Sequence, residues 1–151
     1  MGDDLHARAN DAHRDQTRAR PHVSTLRLTT WNVQNLFRPD AGDSAARAVH
    51  RQKLAALAQV IHELAPDVLA LQEVGGDDAL SDLQAAVGAD RYDHRAIGRA
   101  DARGIACAVL SRVRFAVKPA DVDAFPPHVL ALGLREFDGQ PMTRMGRGAL
   151  H

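Results

Sequence analysis

Hydrophobic and polar positions first alternate between Leu26 and Val33. An alternation with a period of two, in a stretch rich in strand-forming residues, predicts a β-strand. Val68 to Leu71 is continuously apolar and lies between turn signals, which is typical of a strand buried on both faces. Ile105 to Ser111 has the same character, and we expect Val113 to Val117 to continue that strand or to pair with it.

Two stretches with helical spacing alternate with these strands. The first runs from Ala45 to Leu64 and ends at Pro66, and the second follows Gly75-Gly76 and ends at Gly88. The residues expected to cap them are Asp43 or Ser44 for the first helix and Asp77 or Asp78 for the second. The order strand, helix, strand, helix indicates an α/β protein.

The last third of the sequence is less periodic. Pro119 to Pro127 is predicted to be a loop, and Val129 to Phe137 is apolar without a definite period. Arg147 to His151 resembles the beginning of a strand.

Composition limits the classes of protein to consider. A chain of 151 residues is the size of one domain. Its 19 basic and 19 acidic residues balance, which argues against broad charge-driven wrapping of nucleic acid but leaves room for a local basic groove. The single cysteine, Cys107, excludes an internal disulfide framework and a cysteine-based zinc cage, and we interpret it as an inert core residue.

Residues 1–24 form a polar segment that we predict to be a disordered tail, and residues 25–151 form the domain. The first residues are acidic and polar, with no apolar stretch behind them, so we expect no secretory signal and a cytoplasmic location. No apolar run approaches the length of a membrane span, and no feature indicates an obligate protein partner.

Two polar residues end predicted strands, Asn32 the first strand and Glu73 the second. Ligands of open α/β sheets bind outside the carboxyl ends of the strands. A carboxylate there is a good ligand for Mg²⁺ or Ca²⁺, which prefer oxygen donors. Spacing alone leaves a second interpretation open, in which Glu73 is simply the first exposed residue after a core strand.

Three segments follow one another along the chain: residues 28–36 read LTTWNVQNL, residues 66–74 read PDVLALQEV, and residues 103–112 read RGIACAVLSR. In this order they resemble the endonuclease/exonuclease/phosphatase superfamily, which includes pancreatic-type deoxyribonucleases, abasic-site endonucleases, inositol polyphosphate 5-phosphatases and neutral sphingomyelinases. The resemblance covers about residues 26–151. It implies the N-terminal half of a four-layer αββα sandwich, the deoxyribonuclease-I-like fold.

By position, the resemblance implies that Glu73 holds the catalytic metal, Mg²⁺ with Mn²⁺ or Ca²⁺ as alternatives. It implies that Asn32 is a catalytic residue that positions the scissile phosphate and the attacking water. Arg103 could contact phosphate, although a solvated loop arginine is the simpler interpretation. Gln34 stands where some members have an acidic second ligand. The reaction implied is hydrolysis of a phosphoester in a nucleic acid, a small phosphorylated molecule or a lipid.

Later motifs of the superfamily are missing. No asparagine follows Asn35 and no serine follows Ser111, so the Asn-x-His, Asp-x-Asn and Ser-Asp-His segments have no counterparts. We therefore expect a truncated domain, with the general base absent and little or no hydrolase activity. The alternative is a non-catalytic pseudoenzyme or interaction module on the same fold.

Overall fold

A computed structural model describes residues 25–116, 119–135 and 139–150. The predicted tail, residues 1–24, lies outside this part of the chain. The strands and helices of the described residues are, in chain order, β1 (Leu28–Leu36), α1 (Ser44–Leu64), β2 (Val68–Val74), α2 (Asp77–Val87), β3 (His94–Ile97), β4 (Ala106–Ser111), β5 (Asp121–Ala124), α3 (Pro127–Leu130) and β6 (Arg144–Leu150). The chain is therefore a mixed α/β protein, as the sequence pattern predicts.

Four strands form the larger sheet in the order β1-β2-β4-β3. Strands β1 and β2 run parallel, because α1 carries the chain back across the sheet between them, and the other two pairs are antiparallel. The register places Trp31 beside Leu71 and Leu71 beside Ala108. Strands β5 and β6 form a separate antiparallel pair, which touches β4.

The hydrophobic core lies between the two long helices and one face of the larger sheet. Leu69, Leu71 and Leu110 on the sheet and Ile61 and Leu83 on the helices are fully buried. The opposite face of the sheet is less covered, since Leu28 is 67% exposed and Cys107 is half-buried. Cys107 is thus only partly a core residue.

The helix boundaries follow from local hydrogen bonds. The Ala46 backbone N–H donates to Asp43 Oδ1 at 2.8 Å, so Asp43 caps α1 as predicted. The predicted cap of α2 is wrong, because Gly76 occupies the cap position without a side-chain bond. Asp77 and Asp78 lie instead in the first turn, where their charges favour the positive end of the helix dipole.

Two other predictions from the sequence differ from the structure. The segment predicted as a loop before Pro127 contains β5, which forms by pairing with the distant β6. Residues 113–116, predicted to extend or pair with the preceding strand, form no strand. There the Val113 N–H donates to Ser111 Oγ at 3.0 Å, and the Ser111 hydroxyl donates to the Val113 carbonyl at 2.7 Å. Such local side-chain bonds compete with a sheet ladder.

Candidate active site

The sheet is irregular at one place, where β1 and β2 end side by side. The register of β1 against β2 shifts between Asn32 and Leu36, and that of β2 against β4 shifts between Leu71 and Val74. β-Bulges of this kind redirect side chains and are common beside active sites.

Three residues within these irregularities have left-handed backbone, namely Gln34 (φ 54°), Asn35 (φ 55°) and Glu73 (φ 63°). Among the described non-glycine residues, the other with positive φ is Ala65, which caps α1. This conformation costs about 1–3 kcal/mol per residue and persists where surrounding contacts enforce it, often at functional sites. The backbone strain at these three residues therefore indicates a functional site at the end of β2.

The structure brings Asn32 and Glu73 into direct contact. Asn32 Nδ2 donates to Glu73 Oε1 at 2.9 Å, and the Asn35 backbone N–H donates to Glu73 Oε2 at 3.0 Å. The Gln34 N–H donates to Asn32 Oδ1 at 2.8 Å, which fixes the orientation of the Asn32 amide. Both carboxylate oxygens of Glu73 are thus held by donors from β1.

Strict alternation along β2 would not produce this contact. Asn32 lies beside Gln72 in the register, so the side chain of the next residue in a regular strand would leave from the opposite face. The left-handed backbone of Glu73 removes that alternation and allows its carboxylate to meet Asn32.

A lysine from α1 approaches the same bulge. Lys53 Nζ donates to the Gln34 carbonyl at 2.5 Å and lies 3.5 Å from the Asn35 carbonyl. Burial lowers the pKa of the Lys53 ammonium group, and the negative charge of Glu73 partly opposes that effect. A cavity of about 270 Å³ lies alongside, with Trp31 and Lys53 in its wall.

The donor set at this site suits a hard cation. Glu73 offers carboxylate oxygens, whereas the described residues contain no group of three or more histidines, cysteines, aspartates or glutamates that could hold a metal. Mg²⁺ is commonly bound through one or two carboxylates and keeps several waters or takes phosphate oxygens. A single carboxylate therefore fits Mg²⁺ better than Zn²⁺, which needs a nearly complete set of protein ligands.

Arg103 lies in a turn before β4. Its guanidinium Nη2 is 3.3 Å from Asp101 Oδ2, and its side chain is 68% exposed. The same turn lines a cavity of about 500 Å³ with Arg99 and Arg144, which both pair with Asp123. Asp101 is thus the partner that the structure gives Arg103, while Asn32 and Glu73 partner each other.

The ring of Phe37 lies between the turn that contains Arg103 and the end of β2. A Cβ built on Gly75 would collide with this ring, and one built on Gly104 would lie 3.7 Å from its Cε1. Gly104, next to Arg103, therefore lies close to the same ring that Gly75 contacts after the end of β2.

Two participants in the site, the Asn35 backbone N–H and Lys53, were not predicted from the sequence. A backbone donor has no side-chain signature, although asparagine is among the few residues that tolerate left-handed backbone. Lys53 belongs to a helix whose charged residues mostly face solvent, so nothing in the spacing distinguishes it.

Comparison with known proteins identifies the family of the chain. A family model described as the Endonuclease/Exonuclease/phosphatase family matches residues 29–144 of the chain. The chain belongs to this family, which confirms the resemblance drawn from the three sequence segments. Endonucleases, exonucleases and phosphatases all cleave phosphoesters, so the family is one of phosphoester hydrolases. No curated protein matches the chain.

In the part of the chain that the structure describes, no helix is both long enough and apolar enough to cross a bilayer.

Proposed function

We propose that the chain is a metal-dependent phosphoester hydrolase, a nuclease or phosphatase, in which Glu73 binds the metal ion and Asn32 acts at the scissile phosphate. The observation that supports this best is the carboxylate of Glu73, held by Asn32 Nδ2 and by the Asn35 N–H at the end of β2. The arrangement requires left-handed backbone at Gln34, Asn35 and Glu73. A carboxylate that only faced solvent would not need such strain.

The ion that we propose is Mg²⁺, with Mn²⁺ or Ca²⁺ able to replace it. When bound, it would polarise the phosphoryl oxygen and stabilise charge on the leaving oxygen. Glu73 supplies the negative charge that holds the ion. Asn32 orients that carboxylate and presents an amide that can contact the phosphate.

Arg103 has a further, weaker place in the proposal. A guanidinium can bind phosphate through two parallel hydrogen bonds, and the exposed Arg103 can exchange its contact with Asp101 for such a group. The cavity that it shares with Arg99 and Arg144 is where a phosphate of the substrate outside the scissile bond would lie.

We propose that the larger fold is the four-layer αββα sandwich, with β5 and β6 in its second sheet. Support comes from the exposed Leu28 on the open face of the first sheet and from the Gly148 N–H, which donates to the Arg99 carbonyl at 3.1 Å. This bond holds β6 beside the β3–β4 end of the first sheet.

We further propose that this chain by itself turns over little substrate. Hydrolysis needs a base to take the proton of the attacking water. The Asn-x-His, Asp-x-Asn and Ser-Asp-His segments that bear this role in the superfamily have no counterparts in the sequence.

A metal titration tests the proposal. Free Mn²⁺ would be followed by electron paramagnetic resonance in the presence of the full chain, of Glu73→Gln and of the control Glu63→Gln. Glu63 is an exposed glutamate on α1 and carries the same charge. We expect Glu73→Gln to weaken Mn²⁺ binding by more than the roughly 10- to 100-fold that changing an outer partner of a metal ligand costs. Glu63→Gln should bind like the unmodified chain.

Hydrolysis of bis(p-nitrophenyl) phosphate with Mg²⁺ completes the test. Fast turnover that Glu73→Gln abolishes would support the metal role and overturn the claim of low activity. A chain that melts cooperatively and binds no Mn²⁺ would overturn the metal role and favour the alternative, a non-catalytic interaction module on this fold.

A further inference from the structure

The bulge of β1 contains two consecutive residues in left-handed conformation, Gln34 and Asn35. Neither is glycine, so both conformations are unfavourable for the isolated chain. Both carbonyl oxygens face one donor, since Lys53 Nζ lies 2.5 Å from the Gln34 carbonyl and 3.5 Å from that of Asn35. The Lys53 side chain from α1 thus contacts the carbonyl groups of both left-handed residues.

The ammonium group is well suited to hold such a turn. It carries three donors and a compact charge, and hydrogen bonds from a charged donor are stronger than those between neutral groups. Lys53 is only partly exposed, so water competes less for these bonds than at the surface. Burial lowers the pKa of this group, as expected for an ammonium withdrawn from water.

The Gln34–Asn35 turn also supplies two backbone donors to the candidate site. The Asn35 N–H donates to Glu73 Oε2 at 3.0 Å, and the Gln34 N–H donates to Asn32 Oδ1 at 2.8 Å. The Gln34–Asn35 peptide, whose carbonyl Lys53 contacts, carries the N–H that donates to Glu73. The Gln34 N–H that donates to Asn32 belongs to the preceding peptide of the same turn, so holding the turn orients Glu73 directly and Asn32 through the adjoining peptide.

We propose that Lys53 is a positioning residue for the candidate metal site, because it holds the Gln34–Asn35 turn whose backbone N–H groups orient Glu73 and Asn32. This inference rests on the proposed function in naming the site as one for a divalent cation. Lys53 acts here in spite of its charge, which would by itself repel a cation from Glu73.

Positioning of Glu73 by Lys53 would strengthen cation binding, whereas the charge of Lys53 would weaken it. Because these effects have opposite signs, substitutions at Lys53 can separate them. Lys53→Met keeps an unbranched apolar stem but loses the donors and the charge, whereas Lys53→Arg keeps both the charge and the donors. Arg51→Met is the matched control, because Arg51 is an exposed cation on the same helix. The amide resonances of Leu80 and Leu83 in the buried face of α2 report whether each variant is folded.

The first readout is the backbone amide of Asn35 in ¹⁵N-labelled chain without metal. We expect Lys53→Met to shift this resonance and to accelerate its hydrogen exchange, while Lys53→Arg and Arg51→Met leave it close to its original position. A folded Lys53→Met chain with unchanged Asn35 shift and exchange would overturn the proposal.

The second readout is Mn²⁺ affinity. We expect Lys53→Met to weaken binding by about tenfold, the lower end of what losing a direct partner of a metal ligand costs, because Lys53 acts one contact further out, and Lys53→Arg to recover most of that loss. Tighter binding by Lys53→Met would overturn the proposal, because charge repulsion would then outweigh positioning. If the unmodified chain binds no Mn²⁺, the proposed function fails, and the Asn35 amide still decides whether Lys53 holds the turn.

Discussion

Replacing Asn32 by aspartate changes one functional group at the candidate site. The aspartate keeps an oxygen that accepts the hydrogen bond from the Gln34 N–H. It replaces the Nδ2 group, which donates to Glu73 Oε1 at 2.9 Å, by a second charged oxygen. Asn32→Asp thus converts a hydrogen bond into a contact between two carboxylates.

The contacts of Asn32 set how much stability Asn32→Asp loses. A hydrogen bond to a charged group contributes about 1.5–3 kcal/mol, and two like charges about 4 Å apart repel by roughly 1 kcal/mol in water and more where solvent is excluded. Asn32 is exposed and Glu73 is half-buried, so the lower values apply. We expect the free energy of unfolding to fall by about 2–3 kcal/mol near neutral pH, which corresponds to a melting temperature lower by roughly 4–12 °C.

The loss should depend on pH and on divalent cations. Two adjacent carboxyls raise the pKa of the pair above the values of the unfolded chain. The folded variant therefore binds a proton more readily as the pH falls, so its deficit is full near pH 7 and shrinks as the pH falls through that raised pKa. A cation that binds the two carboxylates also restores stability, because it binds the folded state.

Thermal melts of Asn32→Asp and the unmodified chain, with and without Mg²⁺ and at two pH values, measure these effects. Asn35→Asp is the control, since it adds the same charge nearby but leaves the backbone donor to Glu73 in place, and its loss should be smaller. Equal melting of Asn32→Asp and the unmodified chain near pH 7 without metal would refute the hydrogen bond on which the site is built.

Two further substitutions test the packing around the site and the core. In Gly75→Ala the new Cβ would meet the ring of Phe37, so we expect a loss of about 1–3 kcal/mol in urea unfolding. Gly42→Ala meets nothing within 4 Å, and equal midpoints for the two variants would contradict this. The buried Tyr92 hydroxyl donates to the Pro66 carbonyl at 3.0 Å, so Tyr92→Phe should cost about 1–3 kcal/mol, and an unchanged urea midpoint would show the bond to be unimportant. Burial raises the pKa of Tyr92, so its contribution to stability is present below the unfolded-state pKa of about 10 and is lost as pH rises through the higher folded value. Ultraviolet absorbance of this single tyrosine measures the titration, and ionisation at the ordinary pKa would refute the burial argument.

Hydrophobic periodicity was sufficient to predict the elements that carry the site. Alternation located β1, continuous apolar runs located β2 and β4, and helical spacing located α1 and α2. These patterns are local, because a buried strand or helix face must be apolar whatever its partner. The sequence therefore placed Glu73 correctly near the end of β2, whereas the prediction that Asn32 ends its strand is wrong, because β1 continues through a bulge to Leu36.

The contacts made by those two residues could not be predicted in the same way. Their meeting depends on bulges in two strands and on left-handed backbone at Glu73, which reverses the alternation expected along β2. The pairing of β5 with β6 was missed for a related reason, since its partners are far apart in the chain.

The amino-acid sequence by itself thus determined the α/β class, the order of the main elements and the residue types available at the strand ends. Only the tertiary structure decided that Lys53, the Asn35 N–H and Asn32 converge around Glu73. The physical reason is that periodicity reports the burial of each residue, whereas hydrogen bonds between residues about 20 to 40 positions apart depend on how the elements pack and where their register breaks.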